Sequence, residues 1–165
     1  MSMLSRVIVP LRVLLVLLFA GLVVAQFLSI PGQFTHLAEE APGLGAWPWV
    51  LMTFAILEVL CVQVVIVCIW RLLTLIKSDR IFSGEAFGWV DVIVGTMAVA
   101  WVLLLGLFVS LSSYLYFTPE LRDPGLPVLL FGATLFGGVL VLTMVVMRAL
   151  LRQATTLRTE LEEVI

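Results

Sequence analysis

Charge is scarce in this chain of 165 residues: only 12% of them are Asp, Glu, Lys or Arg, about half of the ~25% that is usual in a soluble domain. Hydrophobic residues make up 62% of the chain, and its mean hydropathy is +1.22. This composition excludes a soluble globular enzyme, an intrinsically disordered chain and a nucleic-acid-binding domain. The chain is therefore predicted to be an integral membrane protein.

Cysteine and histidine are also rare. The two cysteines, Cys61 and Cys68, lie seven residues apart in one apolar block. On a helix this spacing separates them by roughly 10 Å along the axis, which excludes a disulfide between them. The lack of a CxxC pair disfavours a thiol-redox membrane enzyme. The single histidine, His36, excludes a bis-histidine haem carrier within one chain.

Four long apolar blocks fill most of the sequence. They predict membrane-spanning helices over residues 7–30, 47–70, 90–116 and 127–147. Each block is long enough to cross a hydrocarbon core of ~30 Å at ~1.5 Å per residue. A cytoplasmic helical tail, 148–165, follows the last block, so the whole chain (1–165) forms a single membrane domain. The predicted fold is all-α: an antiparallel four-helix bundle with an amphipathic C-terminal extension.

Lysine and arginine are distributed unevenly between the two sides of this bundle. Those in the N-terminus, in the loop after the second block and in the tail share one side: Arg6, Arg12, Arg71, Lys77, Arg80, Arg148, Arg152 and Arg158. The opposite side has only Arg122. Because loops rich in Lys and Arg stay in the cytoplasm, this bias predicts that both termini are cytoplasmic.

The first block has an alternative interpretation. Arg6 and Arg12, followed by an apolar run and the small residue Ala25, form the pattern of a cleavable signal peptide. The apolar run continues through Phe27 to Ile30, which favours an uncleaved span. Cleavage would leave three spans with unchanged directions.

Small residues recur at helical spacing in the predicted spans, where close approach of backbones drives helix association in lipid. The stripe in span three comprises Gly88, Asp91, Gly95, Ala98, Val102, Gly106, Ser110 and Ser113. Span four offers pairs four residues apart: Ala133 with Gly137, and Thr134 with Gly138. We expect these faces to pack inside the bundle. Dimerisation with a second copy through the same faces stays open as an alternative.

A carboxyl group lies near the middle of the predicted membrane core. Glu58 follows Trp47 by eleven residues and precedes Trp70 by twelve, with Cys61 one turn further on and Gln63 as a second polar group. A charge at this depth costs about 2.5–3.5 kcal/mol even on insertion scales, so Glu58 is a functional candidate. It is either a proton or cation site in a transport or sensing cycle, or a neutral carboxyl that hydrogen-bonds a neighbouring helix. The chain shows no internal repeat and no paired interrupted spans, which favours the structural role.

The loop over residues 31–48 offers a candidate metal site. Three potential ligands would share one face of a helix there: His36, Glu39 and Glu40. Apolar residues in the same stretch recur at intervals of three and four: Phe34, Leu37 and Ala41. This second pattern favours a short interfacial helix with a solvated acidic face, so no metal or cofactor is predicted.

Two cytoplasmic segments present apolar side chains for which the sequence offers no partner. Between spans two and three, Ile81 and Phe82 precede Ser83, the predicted N-cap of the next helix. The tail carries an apolar seam with the spacing of a coiled coil: Leu150, Ala154, Leu157, Leu161 and Val164. About two heptads are too few to be stable alone. This tail seam is therefore predicted to dock on the cytoplasmic loop, on a second copy or on a partner protein.

The segments DRIFSGEA (79–86) and LRTELEEVI (157–165) resemble the cytoplasmic loop and the ending of a bacterial four-span membrane family, catalogued as domain of unknown function 2975. In length, span count and ending the resemblance extends over the whole chain, although members commonly carry a polar residue such as Asn at the position of Ala86. It implies a multi-pass protein of the bacterial cytoplasmic (inner) membrane. Family genes often lie beside a small helix-turn-helix regulator, which implies a cytoplasmic partner. No activity is established for the family, so the resemblance implies no catalytic residues.

Together these features predict a non-enzymatic interaction or regulatory protein without direct contact to nucleic acid. The partner-binding candidates are Ile81, Phe82, Ser83 and the tail seam, and the partner is a small helix-turn-helix regulator or a second copy. The alternative is a small transporter or proton-coupled sensor that uses Glu58.

Overall fold

The computed structural model describes the backbone of residues 2–77, 84–118 and 125–163, and the side chains of residues 8–75, 86–118 and 125–157. The helices are α1 (Ser2–Val24), α2 (Ile30–Glu40), α3 (Trp47–Lys77), α4 (Gly84–Phe117) and α5 (Gly125–Glu163). A π-helical segment, Ala25–Ser29, joins α1 to α2, and a 3-10 turn, Pro42–Leu44, precedes α3. Apolar sequences of this length become helices because lipid offers no partner for backbone N–H and C=O groups.

Four continuous stretches are long and apolar enough to cross a membrane: Ile8–Glu40, Trp47–Leu75, Ala86–Phe117 and Gly125–Leu157. The predicted all-α fold with four spans is confirmed, and the protein is a multi-pass membrane protein. As the sequence predicts, α5 continues from the last span into the tail without a break as far as Glu163.

The helix of the first span continues past residue 30, the predicted end of that span, as far as Glu40. Pro31 has no N–H group, and its ring would clash with the carbonyl of Phe27 in a regular α-helix. The chain widens just before this proline, where the N–H of Ile30 donates to the carbonyl of Ala25, five residues back. The π-helical segment thus lets the helix pass the proline, and the helix predicted in the loop is α2, which continues directly from the first span.

The extensive contacts in the described part of the chain all join membrane spans that are neighbours in sequence. α1 and α2 pack on α3, α3 packs on α4, and α4 packs on α5. An apolar cluster of Leu15, Ile66 and Leu73 holds α1 against α3.

The contact between α4 and α5 differs from the expected one. A side chain at Gly88, Gly95 or Gly106 of α4 would meet no atom within 4 Å, and Val102 on the same stripe is 59% exposed. The prediction that the small-residue stripe of span three packs inside the protein is therefore wrong for these positions. The small residues that make the contact lie on α5, where they accept the large indole ring of Trp101 from α4.

Candidate functional sites

Trp101 fixes the register between α4 and α5. A Cβ atom added at Gly137 would lie 3.1 Å from Cδ1 of Trp101, and one at Gly138 would lie 3.2 Å from its Nε1. The indole N–H donates a hydrogen bond to the carbonyl of Thr134 at 2.9 Å. Two adjacent glycines therefore form a seat for the ring, and the carbonyl satisfies its polar group, as a buried tryptophan requires. The two glycines can be recognised in the sequence as a packing surface, but the residue that packs on them, Trp101, cannot.

The indole also forms one wall of a groove that contains Glu58. The groove has a volume of about 310 Å³ and opens between α3, α4 and α5. Cys61, Thr96 and Gly137 line it together with Glu58 and Trp101, and apolar side chains form the rest. The structure thus places Glu58 and Cys61 in one groove, as their spacing of one helical turn indicates.

One oxygen of the Glu58 carboxyl, Oε1, is inaccessible to solvent and has no hydrogen-bond partner among the described residues. An unsatisfied buried polar group is costly in an apolar setting. Oε1 therefore does not make the structural hydrogen bond favoured from the sequence to any described residue. A carboxyl in this state is suited to bind a proton, a cation or a small polar ligand that enters the groove.

Gln63 lies on another side of α3, away from Glu58. Its side chain is only 8% exposed, and its Nε2 donates to Oε1 of Gln26 at 3.0 Å. Gln26 belongs to the π-helical segment, so an amide pair joins the first span to the second within the apolar region. Gln26 is not among the residues predicted from the sequence; the available signal is a second glutamine inside an apolar block.

Asp91, near the start of α4, binds two arginines of α5. Arg148 pairs with Oδ1 of Asp91, and Nη2 of Arg152 lies 2.9 Å from Oδ2. These residues lie at one predicted end of the spans, but no pattern in the sequence pairs them. Arginines four residues apart lie on one helix face, which was the available signal.

The tail seam begins at Leu150, between the two arginines of these ion pairs, and continues toward the C-terminus. Leu150 and Leu157 are 54% and 55% exposed, and Ala154 is also exposed. The side chains of Leu161 and Val164, together with Ile81, Phe82 and Ser83 of the cytoplasmic loop, lie outside the described residues.

Two further arginines stand at the same end as Asp91. The guanidinium carbon of Arg12 lies 5.2 Å from the centre of the Trp70 ring, and that of Arg71 lies 5.7 Å from the Trp89 ring. Nη2 of Arg12 also donates to Oγ1 of Thr74 at 3.1 Å. These contacts are cation–π interactions at the level of the lipid headgroups.

At the opposite end, His36 and Glu40 contact each other on the exposed face of α2, with Nδ1 and Oε2 3.3 Å apart. Glu39 does not join them in an ion pair. Within the described ranges, no group of three or more His, Cys, Asp or Glu side chains is placed to hold a metal ion.

Comparison with known proteins identifies a family but no individual relative. No curated protein and no solved structure matches the chain. A family model described as "Protein of unknown function (DUF2975)" matches residues 32–165. The predicted resemblance is thus confirmed from residue 32 onward, and the match does not include α1. With a match over α3, α4, α5 and nearly all of α2, the chain belongs to the DUF2975 family of proteins of unknown function.

Proposed function

We propose that the protein is a non-enzymatic interaction or regulatory protein of the bacterial cytoplasmic membrane, which presents its C-terminal helix and cytoplasmic loop to a protein partner. The observation that carries this proposal is the exposure of Leu150 and Leu157, by more than half, on a helix that continues unbroken from a membrane span.

The ion pairs at Asp91 support this role because they orient the tail. Arg148 and Arg152 occupy the face of α5 that meets α4. At about 100° per residue, Leu150, Ala154 and Leu157 lie on roughly the opposite face. The face that docks on the bundle and the face that carries the seam are therefore different, and the seam points away from α4.

The partner that fits this surface is a helix. A seam with four-and-three spacing packs against another helix through interlocking side chains, and its short length requires such a partner for stability. We propose a small helix-turn-helix regulator as the partner, with a second copy of this chain as the other candidate.

Substitution of Leu157 by Glu tests the proposal. We expect Leu157→Glu to lower co-purification with a helix-turn-helix regulator encoded beside the gene, or with a differently tagged copy, by about tenfold, since a charge in a helix interface costs on the order of 1.4 kcal/mol or more. Thr156→Glu is the matched control, because Thr156 is exposed on a different face of the same turn.

Equal capture by both variants would contradict the role of the seam. Full retention of the partner by a protein that ends before Leu150 would contradict the role of the whole tail. Retention of the helix content in mild detergent, measured by circular dichroism, shows that a loss of binding does not reflect unfolding.

A second candidate function rests on the unpartnered carboxyl oxygen of Glu58. In this alternative, Glu58 binds a proton or cation in a transport or sensing cycle, and the groove beside it admits the ligand. Trp101 lines the same groove, so its fluorescence should report the event.

The neutral isostere separates the two candidates. If Glu58 is an ion site, tryptophan emission changes with pH in the native protein and not in Glu58→Gln, while partner capture by the tail is unaffected. If both proteins give the same emission at each pH, the ion-site alternative is wrong.

A further inference from the structure

Two apolar grooves lie side by side along α3 at the end of the helices that carries Arg12, Arg71, Arg148 and Arg152. One runs between α1 and α3 and has Trp70 and Arg71 in its lining. The other runs between α1, α3 and α4, with Trp89 in its lining. Each has a volume of about 300 Å³, and both are lined by Phe19 and Val67, so they meet at these two side chains.

The arginines beside the grooves lack the carboxylate that their counterparts on α5 have. Arg148 and Arg152 share Asp91. Neither Arg12 nor Arg71 forms an ion pair within the described ranges, and their contacts are to Trp70, Trp89 and Thr74. Among the described residues, no carboxylate therefore compensates the positive charge beside these two apolar grooves.

We propose that this surface binds one anionic diacyl phospholipid of the leaflet next to the arginines, with its phosphate beside Arg71 and one acyl chain in each groove. Guanidinium groups bind phosphate oxygens in a bidentate manner. The two grooves meet one helical turn below Arg71. The two acyl chains of a phospholipid diverge in the same way from a single glycerol. Trp70 and Trp89 stand where the glycerol region would lie, which is the preferred depth of tryptophan in a bilayer.

The charge of the headgroup follows from Arg12. Basic pockets between membrane helices recognise anionic headgroups. A choline headgroup would bring its own cation close to both arginines, whereas a glycerol headgroup leaves the phosphate charge uncompensated. The site thus favours phosphatidylglycerol over phosphatidylcholine.

Native mass spectrometry of the full chain in mild detergent tests this proposal, with added dioleoyl phosphatidylglycerol or dioleoyl phosphatidylcholine. We expect one phosphatidylglycerol to be retained per chain in preference to phosphatidylcholine. Arg71→Gln should lower its apparent affinity about fivefold, as the loss of one basic residue near a lipid surface predicts. Arg152→Gln removes the same charge at the same end of the helices and should leave the affinity unchanged.

The acyl chains are tested separately from the charge. Val67→Trp fills the place where the grooves meet and should lower retention of phosphatidylglycerol. Val145→Trp is the matched control, because Val145 is 43% exposed against 46% for Val67 and lines none of the three grooves described here. Equal retention of the two lipids, equal affinity of Arg71→Gln and Arg152→Gln, or equal behaviour of the two tryptophan variants would each overturn the proposal. So would competition by glycerol 3-phosphate, which has the phosphate without the chains.

Discussion

The two outer helix contacts of this protein, α1 with α3 and α4 with α5, are built in opposite ways. Between α4 and α5, Trp101 lies directly on two glycines, and arginines from α5 share a carboxylate. Between α1 and α3, an apolar cluster and one amide pair make the contact, grooves of about 300 Å³ stay open beside it, and Arg12 has no carboxylate partner within the described ranges.

This difference shows that one membrane protein can close one helix contact with its own side chains and leave grooves open beside another. Helices in lipid gain little from burying apolar surface, so a tight contact needs small residues or polar bonds. The α4–α5 contact has both, and it lies wholly inside the region matched by the family. The α1–α3 contact depends on a helix that the family match does not cover.

The largest expected effect is at the glycine seat. Gly138→Leu forces a branched side chain against the indole of Trp101 and should lower the free energy of unfolding by about 1–3 kcal/mol, the usual cost of overpacking. Denaturation with SDS in mixed micelles, followed by circular dichroism, measures it.

Gly95→Leu is the matched control, because it is the same substitution on a face of α4 with no atom within 4 Å of the added Cβ. It should change the free energy of unfolding by less than about 0.5 kcal/mol. An equal loss in both variants would mean that another surface, such as a second copy, covers the stripe on α4.

A smaller effect is expected from the amide pair. Gln63→Leu removes the hydrogen bond to Gln26 and leaves that amide in an apolar setting. A double-mutant cycle with Gln26→Leu should give a coupling energy of about 0.6 kcal/mol and at most about 1.7 kcal/mol, the range measured for polar contacts between membrane helices. A coupling energy of zero would show that the two amides do not interact in the bilayer.

The smallest effect is expected at the boundary of the membrane. Thr74→Val removes the acceptor of the Arg12 Nη2 hydrogen bond but leaves the stacking of Arg12 on Trp70. Because water and lipid headgroups can replace an exposed bond, the free energy of unfolding should fall by no more than about 0.5 kcal/mol. A loss as large as that of Gly138→Leu would contradict the view that α1 is loosely held.

The fold could be predicted from the sequence because hydropathy and length alone identify spans in a bilayer. The depth of Glu58 and its place beside Cys61 follow from counting residues along one helix. Which helix faces meet could not be predicted in this way. Gly95 and Gly138 are equally small, and only the position of Trp101 relative to α5 shows that one of them is a contact.

The pairing of Gln63 with Gln26 could not be predicted from the sequence for a related reason. Gln26 falls on the face of the first span that carries Leu15, Phe19 and Leu22, which pack against α3. Which residue of α3 lies opposite depends on the relative shift of the two helices, and counting along one helix does not give it. The ion pairs of Asp91 required the relative shift of two helices, which no pattern within either sequence segment specifies.

The unbroken course of α5 has a mechanical consequence. At about 1.5 Å per residue, its 39 residues form a rod of roughly 58 Å, clamped by Trp101 within the bilayer and by Asp91 at its boundary. A continuous helix without a kink transmits rotation from one end to the other. Any event that turns α5 at the Glu58 groove, which Gly137 lines, therefore turns Leu150 and Leu157 through the same angle and changes the direction in which the tail is offered.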